Sequence, residues 1–201
     1  TAKNLLMSED VIAAIEAIKK LGIKVIIKKN KCKIFGEGIH GYKFKKNLIL
    51  NAQNSGTLGR LILGLLVDSP YEIKLTGDKS LSKRDFKRIS DPLSKFGPKF
   101  KLHNKKFLPL KIKGSKNLKP INYLENKGSA QCKSAIILAG MKANGQTKIK
   151  ARKSRNHTEL LAKYLNLPIK VKNKKNYDFI KINKVKKIKK LDYEIPSDIS
   201  S

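Results

Sequence analysis

Apolar residues recur along the chain in three copies of one pattern. In the first, Ile12, Ile15 and Ile18 repeat at spacing three, with Ala14 and Leu21 extending the face. This predicts an amphipathic helix over residues 9–21, with Ser8 as N-cap and Gly22 as the stop. A strand follows over 23–28, then a turn at Lys29-Asn30-Lys31 and a return strand over 32–35. The second copy starts near Lys83 and carries Phe86, Ile89, Leu93 and Phe96 as its stripe. Gly97-Pro98 ends it, and strands over 99–102 and 108–112 flank the turn His103-Asn104-Lys105. Pro92 falls inside this helix and predicts a kink or a fresh start at Asp91. The third copy starts at Ser154, with Leu160, Leu161 and Tyr164 facing inward. It breaks at Asn166 and Pro168 and is followed by strands over 169–171 and 177–182 around Asn173-Lys174.

Two helices of another kind lie between the copies, over 56–67 and 129–141. They are apolar nearly all round, as buried helices are. Each is followed by a strand, over 71–75 and 147–150. The repeated unit is therefore strand, buried helix, strand, surface helix, strand, strand. The fold class expected is α/β of the α+β type: three βαβαββ units with buried helices inside and mixed sheets outside. No Gly/Ser- or Pro-rich linker divides the chain, so one domain is expected, with repeats at 1–48, 49–114 and 115–183. The first unit lacks its buried helix. Residues 184–201 read as a crossover strand, over 191–195, followed by the start of another helix at Asp198, Ser200 and Ser201. The chain is therefore expected to be a piece of a longer protein, truncated at both ends.

Charge changes the picture next. The 201 residues include 46 Lys and Arg and carry a formal net charge of +31. Only five of the basic residues are Arg, aromatics make up 6%, and Trp is absent. The lysines are spread along the whole chain. Base readout favours Arg, and single-strand binding needs aromatic platforms, so no specific nucleic-acid partner is expected. A positive surface still concentrates small anions. Cys32 and Cys132 have no pairing motif and suit a reducing compartment, so a cytoplasmic location is expected. Three histidines without ligand spacing predict no metal site. The longest apolar run, 61–67, is too short to span a membrane.

Chemistry concentrates at the start of the two buried helices. Asn54-Ser55-Gly56-Thr57 opens one, and Gly128-Ser129-Ala130-Gln131 opens the other. A helix N-terminus offers unpaired N–H groups and the positive end of its dipole, which suits an anion. Arranged around one axis, such ends would converge on one oxyanion cradle. Taken alone, each motif is first of all a helix cap.

The order of motifs is more specific. Asn54-Ser55-Gly56-Thr57 with Arg60-Leu61 is followed by Thr76-Gly77-Asp78 leading to Lys83-Arg84. Ser129-Ala130-Gln131 with Lys133-Ser134-Ala135 comes next, then Ser154-Arg155 with His157-Thr158-Glu159, and finally Asp198 with Ser200-Ser201. Near the start, Asn4 to Asp10 fits the same series. Over essentially its whole length the chain resembles one lobe of the EPSP synthases, within the enolpyruvyl transferases. The resemblance implies one lobe of an inverse α/β barrel. It also implies transfer of the enolpyruvyl group of phosphoenolpyruvate to the 5-hydroxyl of shikimate 3-phosphate, with release of phosphate and no metal or organic cofactor. It matches Gly56, Arg84 and Gln131 to phosphoenolpyruvate, with Asn54 and Thr57 flanking. Ser129, Ala130, Gln131 and Ser154 match the shikimate 3-phosphate site, and Asp198 a structural position at the lobe crossover. Glycine at position 56 goes with glyphosate sensitivity in that family. Asp85 and Asn156 depart from the family pattern, and Asp85 could pair with Arg84 or Lys83. The catalytic proton-transfer residues are expected in segments outside this chain, so the lobe alone is expected to be inactive and the full-length protein a monomer. The sister family, UDP-N-acetylglucosamine enolpyruvyl transferase, shares fold and chemistry, but Ser129, Gln131 and Ser154 suit a compact phosphorylated sugar acid better.

Overall fold

Alternation and helical periodicity fold into three repeats in a computed structural model that describes residues 1–196. The reading at Asp198, Ser200 and Ser201 lies outside the described residues. The first repeat holds β1 (Ala2–Lys3), α1 (Glu9–Lys20), β2 (Lys24–Lys28) and β3 (Lys31–Phe35). The second holds β4 (Leu48–Asn51), α2 (Gly56–Leu65), β5 (Glu72–Thr76), α3 (Lys79–Ser82), α4 (Lys87–Ser94), β6 (Lys99–His103) and β7 (Phe107–Lys113). The third holds β8 (Asn122–Glu125), α5 (Ala130–Gly140), β9 (Thr147–Arg152), α6 (His157–Tyr164), β10 (Ile169–Asn173) and β11 (Tyr177–Ile182); β12 (Tyr193–Glu194) follows.

The described residues form three four-stranded sheets of one design. In the second, β4 runs parallel to β5, and β5-β7-β6 continue antiparallel. In the third, β8 runs parallel to β9, and β9-β11-β10 continue antiparallel. A parallel pair needs a crossover, and α2 and α5 are those crossovers. In the first sheet the parallel partner of β1 is β12, with Ala2 opposite Tyr193 and Lys3 opposite Glu194. The end of the chain thus supplies the strand that β4 and β8 supply to their own sheets.

Each sheet turns one face to the helices. In β7, Leu108, Leu110 and Ile112 are buried, while Pro109, Lys111 and Lys113 are exposed. In β9, Thr147, Ile149 and Ala151 are buried and the residues between them exposed. Such alternation suits a sheet with one dry and one wet face, and it is where many of the lysines go. α2 and α5 meet backbone to backbone. A Cβ on Gly64 would lie 2.3 Å from the Ala135 carbonyl oxygen, so only glycine fits there.

The surface helices follow the periodic reading unevenly. In α4, Phe86, Ile89, Leu93 and Phe96 are fully buried, as their stripe predicts. The helix does not restart at Asp91; Pro92 lies inside it. Proline leaves the carbonyl four residues back without its N–H partner. Here that carbonyl, on Arg88, accepts the Cys132 thiol at 3.8 Å. In α1 the inward residues are Ala13, Ile15, Ala17 and Leu21, whereas Ile12 is exposed. Ser8 holds the N-cap position without a side-chain hydrogen bond.

The third surface helix corrects the sequence reading. Leu160, Leu161 and Tyr164 are 54%, 43% and 62% exposed, and the buried side of α6 is Glu159 and Ala162. Periodicity finds a stripe but not the side on which the core lies. Glu159 turns inward because Lys133 of α5 waits there with its ammonium 2.7 Å from the carboxylate. Tyr164 packs edge-on against Tyr193 of β12, with ring centroids 6.0 Å apart.

A second buried cation ties the repeats together. Lys142 Nζ donates to the Leu65 carbonyl at the end of α2, to Asp68 Oδ1 and to the Tyr42 hydroxyl, each at 2.6 Å. Tyr42 also donates to the Leu65 carbonyl, and His40 pairs with Asp68. Burial and then the Asp68 charge push the Tyr42 phenol up, while burial lowers Lys142 against the pull of Asp68. Cys32 and Cys132 are both free and buried. Among the described residues no helix is long and apolar enough to cross a membrane, and no three metal-ligating side chains cluster.

Candidate functional site

Small polar residues place the inner helix ends. Ser55 caps α2 by accepting the Leu58 N–H at 3.2 Å. Ser129 caps α5 by accepting the Cys132 N–H at 3.3 Å. The loop before α5 is held by Glu125, whose two carboxylate oxygens accept the Lys127 and Ser129 N–H groups at 3.2 and 3.1 Å. The Ser129 hydroxyl keeps its own proton free to donate.

Next to these ends lies a cleft of about 540 Å³ lined by Asn54, Gly56, Thr57, Arg84 and Gln131, with Ser8, Glu9 and Asp10 of the first repeat opposite. All five residues matched to phosphoenolpyruvate therefore share one cavity. A smaller hollow of about 150 Å³ adjoins it through Thr57 and Gln131 and is lined also by Ala130, Ser134, Arg155, His157 and Thr158. Ser129 and Ser154 line neither cavity. Ser154 sits between β9 and α6, its hydroxyl buried and without a hydrogen-bond partner among the described residues. The carbonyl of its neighbour Lys153 lies 3.6 Å from where a Gly128 Cβ would be, so the loop before Ser129 and the loop before Ser154 adjoin.

The polar groups of the cleft are interlocked. Arg84 Nη2 donates to Asn54 Oδ1 at 3.2 Å. Asp85 holds neither Arg84 nor Lys83. It lies 3.6 Å from Lys106 and accepts the Arg88 N–H at 3.3 Å, which leaves the Arg84 guanidinium to face the cleft. Arg60, in the motif but unassigned by sequence reading, is central. Its Nη1 donates to Gln131 Oε1 at 2.7 Å and to the Gly56 carbonyl at 3.2 Å. Its guanidinium lies 5.5 Å from the Phe86 ring centroid. Burial lowers its pKa first of all, with Arg88 and Arg84 adding in the same direction. The signal in the sequence was its position four residues after Gly56, on the same helix face.

Gly56 matters through its missing side chain. A Cβ there would sit 2.8 Å from Arg60 Nη1 and 3.0 Å from Arg84 Nη1. Two guanidinium groups thus close on one helix N-terminus, an arrangement with the chemistry to hold a phosphate or carboxylate.

Repeated βαβαββ units, inner helices that present their N-termini, and an arginine lining the cleft beside Gly56 define a lobe of the enolpyruvyl-transferase kind. The chain belongs to the EPSP synthase family, whose model, EPSP synthase (3-phosphoshikimate 1-carboxyvinyltransferase), matches residues 1–201. It is 44% identical over 201 residues to a 3-phosphoshikimate 1-carboxyvinyltransferase of Caldicellulosiruptor bescii, covering 99% of this chain and 46% of the relative. It is 38% identical over 199 residues to the enzyme of that name from Leuconostoc mesenteroides, covering 98% of this chain and 45% of the relative. The solved EPSP synthase of Acinetobacter baumannii superimposes with a TM-score of 0.89 at 34% identity, covering 99% of this chain and 44% of that one. The chain spans about half the length of the relatives it matches.

Proposed function

We propose that this chain is one lobe of an enzyme that transfers the enolpyruvyl group of phosphoenolpyruvate to the 5-hydroxyl of shikimate 3-phosphate. The observation that carries the reading is the convergence of Gly56, Arg84 and Gln131 on one cleft at the N-terminus of an inner helix. Both substrates are anions, and the cleft offers guanidinium and amide donors backed by a helix dipole. In this reading Arg84 holds the phosphoenolpyruvate phosphate, the Gly56 backbone lies against the same substrate, and Asn54 and Thr57 orient its neighbours. Ser129, Ala130 and Ser154 serve the shikimate 3-phosphate. The buried, unpartnered Ser154 hydroxyl next to the Gly128-Ser129 loop suits a phosphate oxygen there. Gln131 reaches both substrates. Electrostatic stabilisation comes from this lobe, and proton transfer to and from the substrate carbon falls to groups outside it. The full-length protein is taken as a cytoplasmic monomer without a nucleic-acid partner.

The repeat pattern supports a further helix in the complete protein. α4 packs against both α2 and α5, whereas Ile12 of α1 and Leu160 and Leu161 of α6 remain exposed. The isolated 201 residues are accordingly expected to bind shikimate 3-phosphate weakly, at about millimolar Kd, roughly −4 kcal/mol, and to turn over nothing. Calorimetric titration and a phosphate-release assay check both halves of that expectation, and turnover by the lobe alone would refute it.

Arg84→Lys in the complete enzyme tests the site. A point charge replaces a planar fork, so KM for phosphoenolpyruvate is expected to rise about tenfold or more, while KM for shikimate 3-phosphate moves less than twofold. Equal effects on both substrates in steady-state kinetics would remove Arg84 from the phosphoenolpyruvate site.

A further inference from the structure

We infer that Arg60 is a positioning residue that fixes which end of the Gln131 amide faces the cleft. The inference rests on the function proposed above and adds to it a residue with its own task. Arginine has five N–H donors and no acceptor, so only the amide oxygen of Gln131 can face it. The contact is Arg60 Nη1 to Gln131 Oε1, at 2.7 Å. The other end of the amide, Nε2, then donates to Thr57 Oγ1 at 2.9 Å, at the wall shared by both cavities.

The consequence is electrostatic. A glutamine amide rotated by half a turn fills the same space with donor and acceptor exchanged. With Nε2 toward the cleft, the amide offers an anion the one N–H that Thr57 does not take. With Oε1 there, it offers a lone pair and repels one. A neutral partner with both donor and acceptor would tolerate either pose. A guanidinium tolerates one, because the wrong pose sets N–H against N–H in a part-buried place.

Arg60 is itself held for this role. It is only 9% exposed, lies over the Phe86 ring at 5.5 Å, and donates to the Gly56 carbonyl at 3.2 Å. Phe86 is fully buried, so the surface under the guanidinium is rigid. Arg84 lines the cleft and gives one guanidinium nitrogen, Nη2, to Asn54 Oδ1, whereas Arg60 does not line it. The two arginines thus divide the labour: Arg84 faces the cleft, and Arg60 acts one residue removed, through Gln131.

The test is a double-mutant cycle in the complete enzyme, read as KM for phosphoenolpyruvate with kcat recorded separately. Gln131→Ala and Arg60→Lys are each expected to raise that KM about tenfold. The double variant is expected to match Gln131→Ala within about twofold, because the amide that Arg60 orients is gone. Effects that multiply to about a hundredfold would mean that Arg60 meets the anion itself, and would overturn the inference. Should Arg60→Lys fail to fold, Phe86→Leu loosens the guanidinium from below. It is expected to raise KM when Gln131 is present and to leave it unchanged when Gln131 is Ala. A ligand-free arm separates this inference from the proposed function. The Gln131 side-chain amide is identified as the glutamine-labelled signal of the complete enzyme that disappears in Gln131→Ala. Slow exchange of that amide is expected in the native protein and lost in Arg60→Lys. An unchanged Gln131 signal would overturn the inference even if the enzyme proves active. Absence of turnover, with the exchange difference intact, would sink the proposed function and leave the Arg60–Gln131 coupling standing.

Discussion

Replacing Lys133 by Met while Glu159 remains is expected to destabilise the fold by about 3–5 kcal/mol. The two groups are 0% and 3% exposed, and the ammonium lies 2.7 Å from the carboxylate. Neither has a further hydrogen-bond partner among the described residues, so each depends on the other's charge. Taking either charge away strands its partner in a fully buried place. Removing both charges differs. Lys133→Met with Glu159→Leu fills the space with apolar atoms and is expected to recover most of the loss, or to exceed the native stability. Urea midpoints of the two single variants and the double variant decide the matter. Two single losses that simply add would show that the pair is not coupled. The pair also has a positional effect. With the Thr158 hydroxyl donating to Ser134 Oγ at 2.7 Å, it pins the first turn of α6 to the first turns of α5. Ser154 and Ser129 lie just before those turns, so the double variant is expected to stay folded yet shift these two loops, which are proposed above to serve shikimate 3-phosphate.

Gly56→Ala is expected to leave stability within about 1 kcal/mol and to raise KM for phosphoenolpyruvate about tenfold. The added methyl group would meet Arg60 Nη1 at 2.8 Å and Arg84 Nη1 at 3.0 Å. Both atoms end flexible side chains, so the backbone of α2 need not move and the fold persists. The guanidinium groups must shift, and with them the anion site proposed above. Arg84 loses its pose beside Asn54, and Arg60 loosens its hold on Gln131. The resemblance-based expectation that glycine here goes with glyphosate sensitivity sets a sharper test: the inhibition constant for glyphosate is expected to rise more than KM for phosphoenolpyruvate. Steady-state inhibition kinetics of the complete enzyme measure both, and equal changes would reject the idea.

The candidate site was legible where the chain carries it in short runs. Asn54, Gly56, Thr57, Arg84 and Gln131 were all named by motif, and they share one cavity. Ser129 and Ser154 do not line it, and what brings their loops together is a backbone approach that no motif encodes. Arg60 stood in the first motif without a task. Its partner Gln131 lies 71 residues further on, so its role could not be read from its neighbours. Leu160, Leu161 and Tyr164 misled for a related reason. The stripe was real, but the inward face of α6 was decided by a carboxylate answering a buried lysine.

By itself the sequence determined the local elements: where the inner helices start at Ser55 and Ser129, where chains turn, and that one unit repeats. These are settled by contacts within three or four residues, such as the Ser55 hydroxyl with the Leu58 N–H or the Ser129 hydroxyl with the Cys132 N–H. Only the tertiary structure decided that β12 completes the first sheet beside Ala2, that Cys132 serves the carbonyl freed by Pro92, and that Arg60, Arg84 and Gln131 meet around Gly56. Those contacts join residues dozens to nearly two hundred positions apart. Their geometry exists only once the sheets have closed around α2 and α5, because burial of the apolar faces, rather than any local signal, brings them within reach.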